Sequence, residues 1–385
     1  MLRRFFGKIP LAWQQLMKEK MRLAVALAGI AFADILMFAQ MGFEGALFDS
    51  SIALHKHFNT DLVVVSRNFE TIYSIRDFSQ DFLYQARGYA GVESVSPVYI
   101  GLGKWNNLET HSLQTILIVG TDPANKILAF PEFDANRSQL QILNQVLFDQ
   151  AAFPKIIDLL QQQSQVELNI NEVTVLIKGL FSLGKSFASS GSIITSDLTF
   201  LRVFPSHQAN QIAVGLVKLK PGANPQQVIQ TLQTGLSDNV RVLTPQGFID
   251  VERNYWSKTT PIGFIFGVGV IVSFMVGSVI VYQILYSDVA AHLSEYAMLK
   301  AMGYTNNYLL GVLAQEAMFL AVLGYFPGLI LASGFYALAA SATMLPVIMT
   351  LERCINIFLL TLIMCFVSGA IAMGKLHSAD PADLL

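Results

Sequence analysis

Four stretches of this chain stay apolar for longer than a hydrocarbon core about 30 Å thick requires, which is about 20 helical residues. They cover residues 23–45, 261–286, 308–340 and 355–374. Such a chain must either span a bilayer or hide all four from water. With 53% hydrophobic and only 14% charged residues among 385, it has too little polar surface to do the second. The expected class is an α+β membrane protein with four transmembrane helices. Residues 46–257, patterned like an ordinary globular sequence, form a large two-lobed α/β domain between the first helix and the second.

Orientation is read from the ends, because a long insert crosses the membrane largely regardless of its charge. Arg3, Arg4, Lys8, Lys18, Lys20 and Arg22 precede the first span against one acid, Glu19. This basic flank holds the N-terminus in the cytoplasm, and four crossings return the C-terminal tail, 375–385, to the same side. The insert is then extracytoplasmic, and the membrane is the plasma (inner) membrane. The basic run is too long, and the apolar run too extended, for a cleaved signal peptide, so the first span is read as retained. In residues 1–22, Leu2, Phe5, Phe6, Ile9, Trp13, Leu16 and Met17 recur at helical spacing among basic residues, as in an amphipathic helix lying on the cytoplasmic surface. Pro10 marks its break or start. The third span exceeds what one crossing needs and contains Pro327, which predicts a kink or a helix that projects beyond the bilayer.

The insert repeats itself weakly. Asp61–Ser66, Asp77–Tyr89 and Ser94–Ile100 read as strand, helix and strand, and so do Gln211–Leu219, Pro225–Ser237 and Val240–Leu243. Two βαβ halves, about 55–105 and 210–245, therefore flank an inserted lobe at about 110–205. That lobe has strands of its own at Thr115–Val119 and Val173–Gly179.

Few function classes survive. A net charge of −2 gives no basic field for nucleic acid, and two cysteines, Cys354 and Cys365, give no disulfide scaffold. His55 and His57 lack further metal ligands nearby, and no Ser-His-Asp, Cys-His or paired-carboxylate constellation can be defended. Gly179-Leu-Phe-Ser-Leu-Gly184-Lys185-Ser186 matches the phosphate-loop pattern and follows a strand. A phosphate loop needs a helix N-terminus directly after it, yet Ser-Phe-Ala-Ser-Ser-Gly followed by β-branched residues predicts a turn and another strand. The match is judged false, leaving no bound metal or cofactor in this chain.

Between the second and third spans, residues 287–307 read as a short amphipathic helix from about Val289 to Met302. Asp288 stands as its cap and Gly303 as its left-handed exit. Within it, Glu295-Tyr296-Ala-Met298-Leu299-Lys300-Ala301-Met-Gly303 resembles the cytoplasmic coupling segment of the MacB/FtsX-like ABC transporter permeases. The order of one span, a large domain and three spans, together with Glu316-Ala317 and Asp380-Pro381-Ala-Asp-Leu384, extends the resemblance over nearly the whole chain. Phe32-Ala-Asp34, Gln40 to Ser50 and Gly120-Thr-Asp-Pro123 look like the cyanobacterial DevC-type exporter permease.

The resemblance implies a permease subunit whose loop, through Glu295, Tyr296, Met298, Leu299, Lys300, Ala301 and Gly303, docks on a separate ABC ATPase that binds the ATP and Mg. It implies a homodimer, a periplasmic membrane-fusion adaptor and a TolC-like outer-membrane duct, and export of a glycolipid or another amphiphile. The alternatives are an FtsX-like regulator of a cell-wall hydrolase and a lipoprotein-release permease. Within the spans, Asp34 is expected to hydrogen-bond across the bundle or the dimer seam rather than relay protons, and Glu316 to find a structural partner near the coupling helix. Gly263 and Gly267, spaced as G-x-x-x-G, are expected to allow close helix packing at a dimer interface.

Overall fold

The computed structural model describes residues 11–107, 112–162 and 165–378. The chain divides into two compact units, the spans (1–45, 262–342 and 347–385) and the insert domain (46–261 with 343–346). The basic residues Arg3, Arg4 and Lys8 and the Asp380–Leu384 motif lie outside the described residues.

Four helices are long and apolar enough to cross a membrane: Lys20–Ser51, Pro261–Ala291, Leu310–Thr343 and Leu351–Ala372. Each helix is longer than its apolar stretch. The first continues through Ser51 into the segment assigned to the insert, and the fourth runs from Leu351 to Ser378. The third is unbroken from Asn306 to Thr343 despite Pro327, so its 38 residues extend past a single hydrocarbon width, at about 1.5 Å per residue. The amphipathic N-terminal segment forms a helix at Leu11–Lys18. It is more than a surface helix, because Leu16 is buried in the core between the spans and Trp13 meets Phe319 edge-on at 5.4 Å. Close packing joins the spans: a Cβ on Gly277 would lie 2.6 Å from that of Ala33 and would collide with the Met364 sulfur. Tyr336 Oη donates to the Phe38 carbonyl at 2.5 Å and Tyr325 Oη to that of Cys354 at 2.9 Å.

The insert domain is built on a nine-stranded sheet. Its strands are β1 (Leu62–Ser66), β3 (Val92–Asn106), β4 (Leu113–Thr121), β5 (Gln145–Asp149), β6 (Glu167–Ile170), β7 (Val173–Phe181), β8 (Ser192–Ser196), β10 (Val214–Leu219) and β11 (Val240–Leu243). The short pair β2 (Phe78–Ser79) and β9 (Gln211–Ile212) stands apart from it. The order is β11-β1-β10-β3-β4-β8-β5-β7-β6.

The two βαβ halves are interlocked rather than side by side. β10 lies between β1 and β3, and β1 lies between β10 and β11, always antiparallel. Each half is a split βαβ whose gap is filled by a strand of the other. The helices Gln80–Arg87 and Pro225–Gly235 cover one face, through Leu83 and Ala86 and through Val228, Ile229 and Leu232. Phe248, Phe69 and Phe133 are among those that cover the other. With both faces buried, β1 is apolar throughout instead of alternating: Leu62 and Val64 join one core, Val63 and Val65 the other.

The inserted lobe is not a separate sheet. The fifteen-residue β3 runs from the interlocked halves into it, and the pairing of Trp105 with Ile170 links β3 back to β6. Six strands, β3-β4-β8-β5-β7-β6, thereby close into a ring. Gly120, in the stretch that looks DevC-like, leaves room for Phe200, whose Cβ a glycine side chain would approach to 2.5 Å. Asp122 of the same stretch turns the chain by accepting from the Ala124 N–H at 2.9 Å.

Candidate functional site

The second span's helix continues through Ala291, so Asp288 lies buried in its last turns instead of capping the next helix. The break comes at His292, whose backbone N–H donates to the Asp288 carbonyl at 3.1 Å. The following helix is Leu293–Ala301, shorter than the sequence suggests. It ends in a left-handed turn, with Gly303 at φ +92° and the Tyr304 N–H donating to the Leu299 carbonyl at 3.1 Å. That six-to-one bond and a glycine at this position are the marks of a Schellman cap.

The helix has an inside and an outside. Leu293 and Leu299 pack against the core between the spans, with Val289, Leu313 and Ala317. Glu295, Met298 and Met302 follow the i, i+3, i+7 spacing of one helix face and are exposed, the two methionines to 65% and 62%. Leu299, expected to meet a partner, is turned towards the bundle and positions the helix. Met302, missed as a site residue, completes the exposed stripe; its spacing from Glu295 and Met298 could have identified it. The side chains of Tyr296, Lys300 and Ala301 lie outside the described residues. Methionines adapt their shape to an apolar partner, and this stripe meets nothing else in the chain among the described residues.

Behind the helix is a charge cluster, buried at Asp288, His292 and Glu316 and partly exposed at Glu19 and Arg22. Arg22 Nη1 lies 2.5 Å from Glu19 and 3.7 Å from Asp288, and His292 Nδ1 lies 3.6 Å from the Asp288 carboxylate. Glu316, 1% exposed, lines the same small cavity as Arg22 and Asp288. Two carboxylates thus meet one guanidinium with a third lining the same cavity, and Asp288 Oδ2 and Glu316 Oε2 accept no hydrogen bond. Burying incompletely matched charge is costly, so this corner has a strong preference for any arrangement that matches it better. Glu316 thus lies beside Asp288, close to the start of the Leu293–Ala301 helix. Arg22, Asp288 and His292 belong to the group although their sequence positions gave no hint of it.

Asp34 is fully buried where the first, third and fourth spans meet. Thr361 donates to its Oδ1 at 2.6 Å, whereas Oδ2 has no partner. A Cβ on Gly328 would sit 2.9 Å from that of Asp34. Of the glycines expected at a dimer interface, a Cβ on Gly267 would meet nothing within 4 Å among the described residues, and the close approaches within this chain are made by Gly269, against Gln40, and by Gly277. Gly263 lies beside it on the same half-buried turn.

In the insert domain, the segment resembling a phosphate loop follows β7, and no helix begins at Lys185. Where a phosphate would accept backbone N–H groups, the buried Asp149 carboxylate does so: Leu183 N donates to Oδ1 at 3.0 Å, Gly184 N to Oδ2 at 2.8 Å, and Ala151 N to Oδ1 at 3.1 Å. Burial pushes the Asp149 carboxyl above the usual carboxylate range, and these N–H groups pull it part of the way back. Gly179 lies inside β7 and Ser186 in the loop.

His55 and His57 diverge. His55 is buried 3.4 Å from Glu252 and against Phe248, whereas His57 Nδ1 lies 2.8 Å from the Ala53 carbonyl and its ring stacks on Phe130. Glu252 is the larger finding. Fully buried, it accepts from Thr71 Oγ1 at 2.6 Å, Trp256 Nε1 at 2.7 Å and the Ile72 N–H at 3.0 Å. Cys354 and Cys365 are free thiols.

Residues 265–381, from the second span to the tail, match the family of FtsX-like permease C-terminal domains. Comparison with curated proteins gave no match. Among solved structures, the periplasmic region of MacB from Actinobacillus actinomycetemcomitans aligns at 13% identity, covering 53% of this chain and 95% of that one, with a TM-score of 0.34. The extracellular domain of the noncanonic ABC-type transporter YknZ from Gram-positive bacteria aligns at 12% identity, covering 48% of this chain and 99% of that one, with a TM-score of 0.32.

Proposed function

We propose that this chain is the permease subunit of an ABC-type exporter, in which a separate ATPase binds ATP and Mg and drives movements of the insert domain. The reading is carried by one observation: a family of permease C-terminal domains matches residues 265–381, and within that match the Glu295–Met298–Met302 stripe is exposed on a helix whose other face is anchored to the spans. A partner that docks on this stripe would pull on Leu293 and Leu299. Asp288 and His292, directly before the helix, tie it to Arg22 and the inner cluster. Hydrolysis elsewhere thus reaches the spans through short, stiff connections.

In this reading both termini are cytoplasmic, the insert domain is periplasmic, and the unit contains two copies of each chain. The second span is compatible with a dimer: Phe264, Ile265, Ile271 and Val279 are exposed among the described residues. Its cargo is a glycolipid or another amphiphile, passed to a periplasmic adaptor and an outer-membrane duct.

The test is purification of the tagged chain in mild detergent after crosslinking, with mass spectrometry of the retained proteins. A stoichiometric ABC-type ATPase with an adaptor supports the exporter. An ATPase with a wall hydrolase makes the chain a regulator, one with a lipoprotein chaperone makes it a lipoprotein-release permease, and no ATPase at all sinks all three readings.

A further inference from the structure

The loop after β7 is unusually well fixed for a surface segment. The Asp149 carboxylate clamps its start through the Leu183 and Gly184 N–H groups. A tight turn clamps its middle, with Ser186 N donating to the Ser189 carbonyl at 3.0 Å and Ser189 N to Ser186 Oγ at 3.1 Å. Its end is joined to β4 by Ser190 N donating to the Thr115 carbonyl at 2.9 Å. Beneath it lies Tyr73, whose phenol burial pushes above the usual tyrosine range, and Phe187 meets Trp256 edge-on at 5.9 Å. A fully buried carboxylate is a costly means of shaping a turn that only faces water.

What the loop shapes is an open cavity of about 410 Å³. Its lining carries the hydroxyls of Thr115 and Ser190, those of Ser186 and Ser189, which bond to each other at 3.0 Å, that of Thr343, which accepts from the Leu345 N–H at 3.3 Å, and one ammonium, Lys185, with no carboxylate among the described residues. Lys185 forms no ion pair among the described residues, and its ammonium lies over the Phe153 ring at 5.3 Å from the centroid. At the rim are apolar groups, Phe187, 59% exposed, and Leu345. The composition is one positive charge, several hydroxyls that both donate and accept, and an apolar border. Together these complement an oxyanion attached to a polyol, with a hydrocarbon chain leaving over the rim.

We propose that this cavity binds the anionic, hydroxyl-bearing headgroup of an amphiphile. Lys185 meets the phosphate or sulfate, the serine and threonine hydroxyls meet the polyol, and Phe187 and Leu345 meet the first methylenes. The inference rests on the exporter reading for the headgroup's being cargo, but not for its binding.

The experiment uses the full chain in detergent micelles, titrated separately with short-chain phosphatidylglycerol, with glycerol 3-phosphate and with a neutral short-chain monoglucosyl lipid. Lys185→Gln is expected to weaken phosphatidylglycerol about tenfold, as loss of one charge-assisted hydrogen bond implies, and to leave the neutral lipid unchanged. Lys185→Arg restores binding. Thr115→Val, which keeps its backbone bond to Ser190, weakens it less. Wild-type affinity in Lys185→Gln overturns the site, and equal affinity for glycerol 3-phosphate overturns the amphiphile. Retention of the ATPase is read in the same preparations. Lipid binding that depends on Lys185 without any ATPase leaves the site standing and removes the exporter reading.

Discussion

The insert domain and the spans treat buried acids in opposite ways. In the domain, the fully buried Asp149 and Glu252 carboxylates each accept three hydrogen bonds of 2.6–3.1 Å. In the spans, Asp34, Asp288 and Glu316 each leave one oxygen without a partner. Saturated acids hold one shape, because any movement strands charge. Acids left half-satisfied are held by packing and remain free to improve their surroundings when the helices shift. The proposed function would use this contrast, with a domain of fixed shape and a bundle that can rearrange.

The harshest test of that contrast is Glu252→Ala, which leaves Thr71, Ile72 and Trp256 without their common acceptor. A loss of about 3–5 kcal/mol is expected, visible as domain unfolding in limited proteolysis at temperatures where the wild type resists. Next comes Gly277→Val, which drives a side chain into Met364 and Ala33. If packing holds the bundle, the cost is about 1–3 kcal/mol in detergent melting. By contrast, Asp34→Asn keeps an acceptor for Thr361 and replaces an oxygen that nothing satisfies, so it should cost under about 1 kcal/mol. A loss as large as that of Glu252→Ala would abolish the distinction between the two regions.

The smallest effect concerns pH. Burial raises the folded pKa of Tyr73 above its unfolded value of about 10, so its contribution is complete below pH ~10 and is lost as pH rises through the folded value. Tyr73→Phe should therefore flatten the alkaline limb of the domain's stability curve. An unchanged limb would mean that the loop's underside is open to water.

The sequence made legible whatever is local. Continuous apolar runs located the spans, and period-2 and period-3.6 patterns located β1, β10, β11 and the Pro225–Gly235 helix. The interlocking of the two halves was not readable, because pairing between Val64 and Gly215 depends on contacts 151 residues apart in register. The closure of the ring at Trp105 and Ile170 was hidden for the same reason. Nothing in the sequence singles out Glu252, since two of its donors, Thr71 and the Ile72 N–H, come from about 180 residues away. At the coupling segment, helix formers and Gly303 located the helix but could not say which face the spans would cover, and so Leu299 was assigned outward and Met302 was overlooked.

In the proposed function the exposed stripe of the Leu293–Ala301 helix receives an ATPase. The most direct measurement of this is copurification of the ATPase with wild type and with Glu295→Lys and Met298→Glu, each checked for an unchanged melting temperature. The account predicts a stoichiometric ATPase on the wild type and its loss from both variants. An ATPase retained by both, with folding intact, would contradict it.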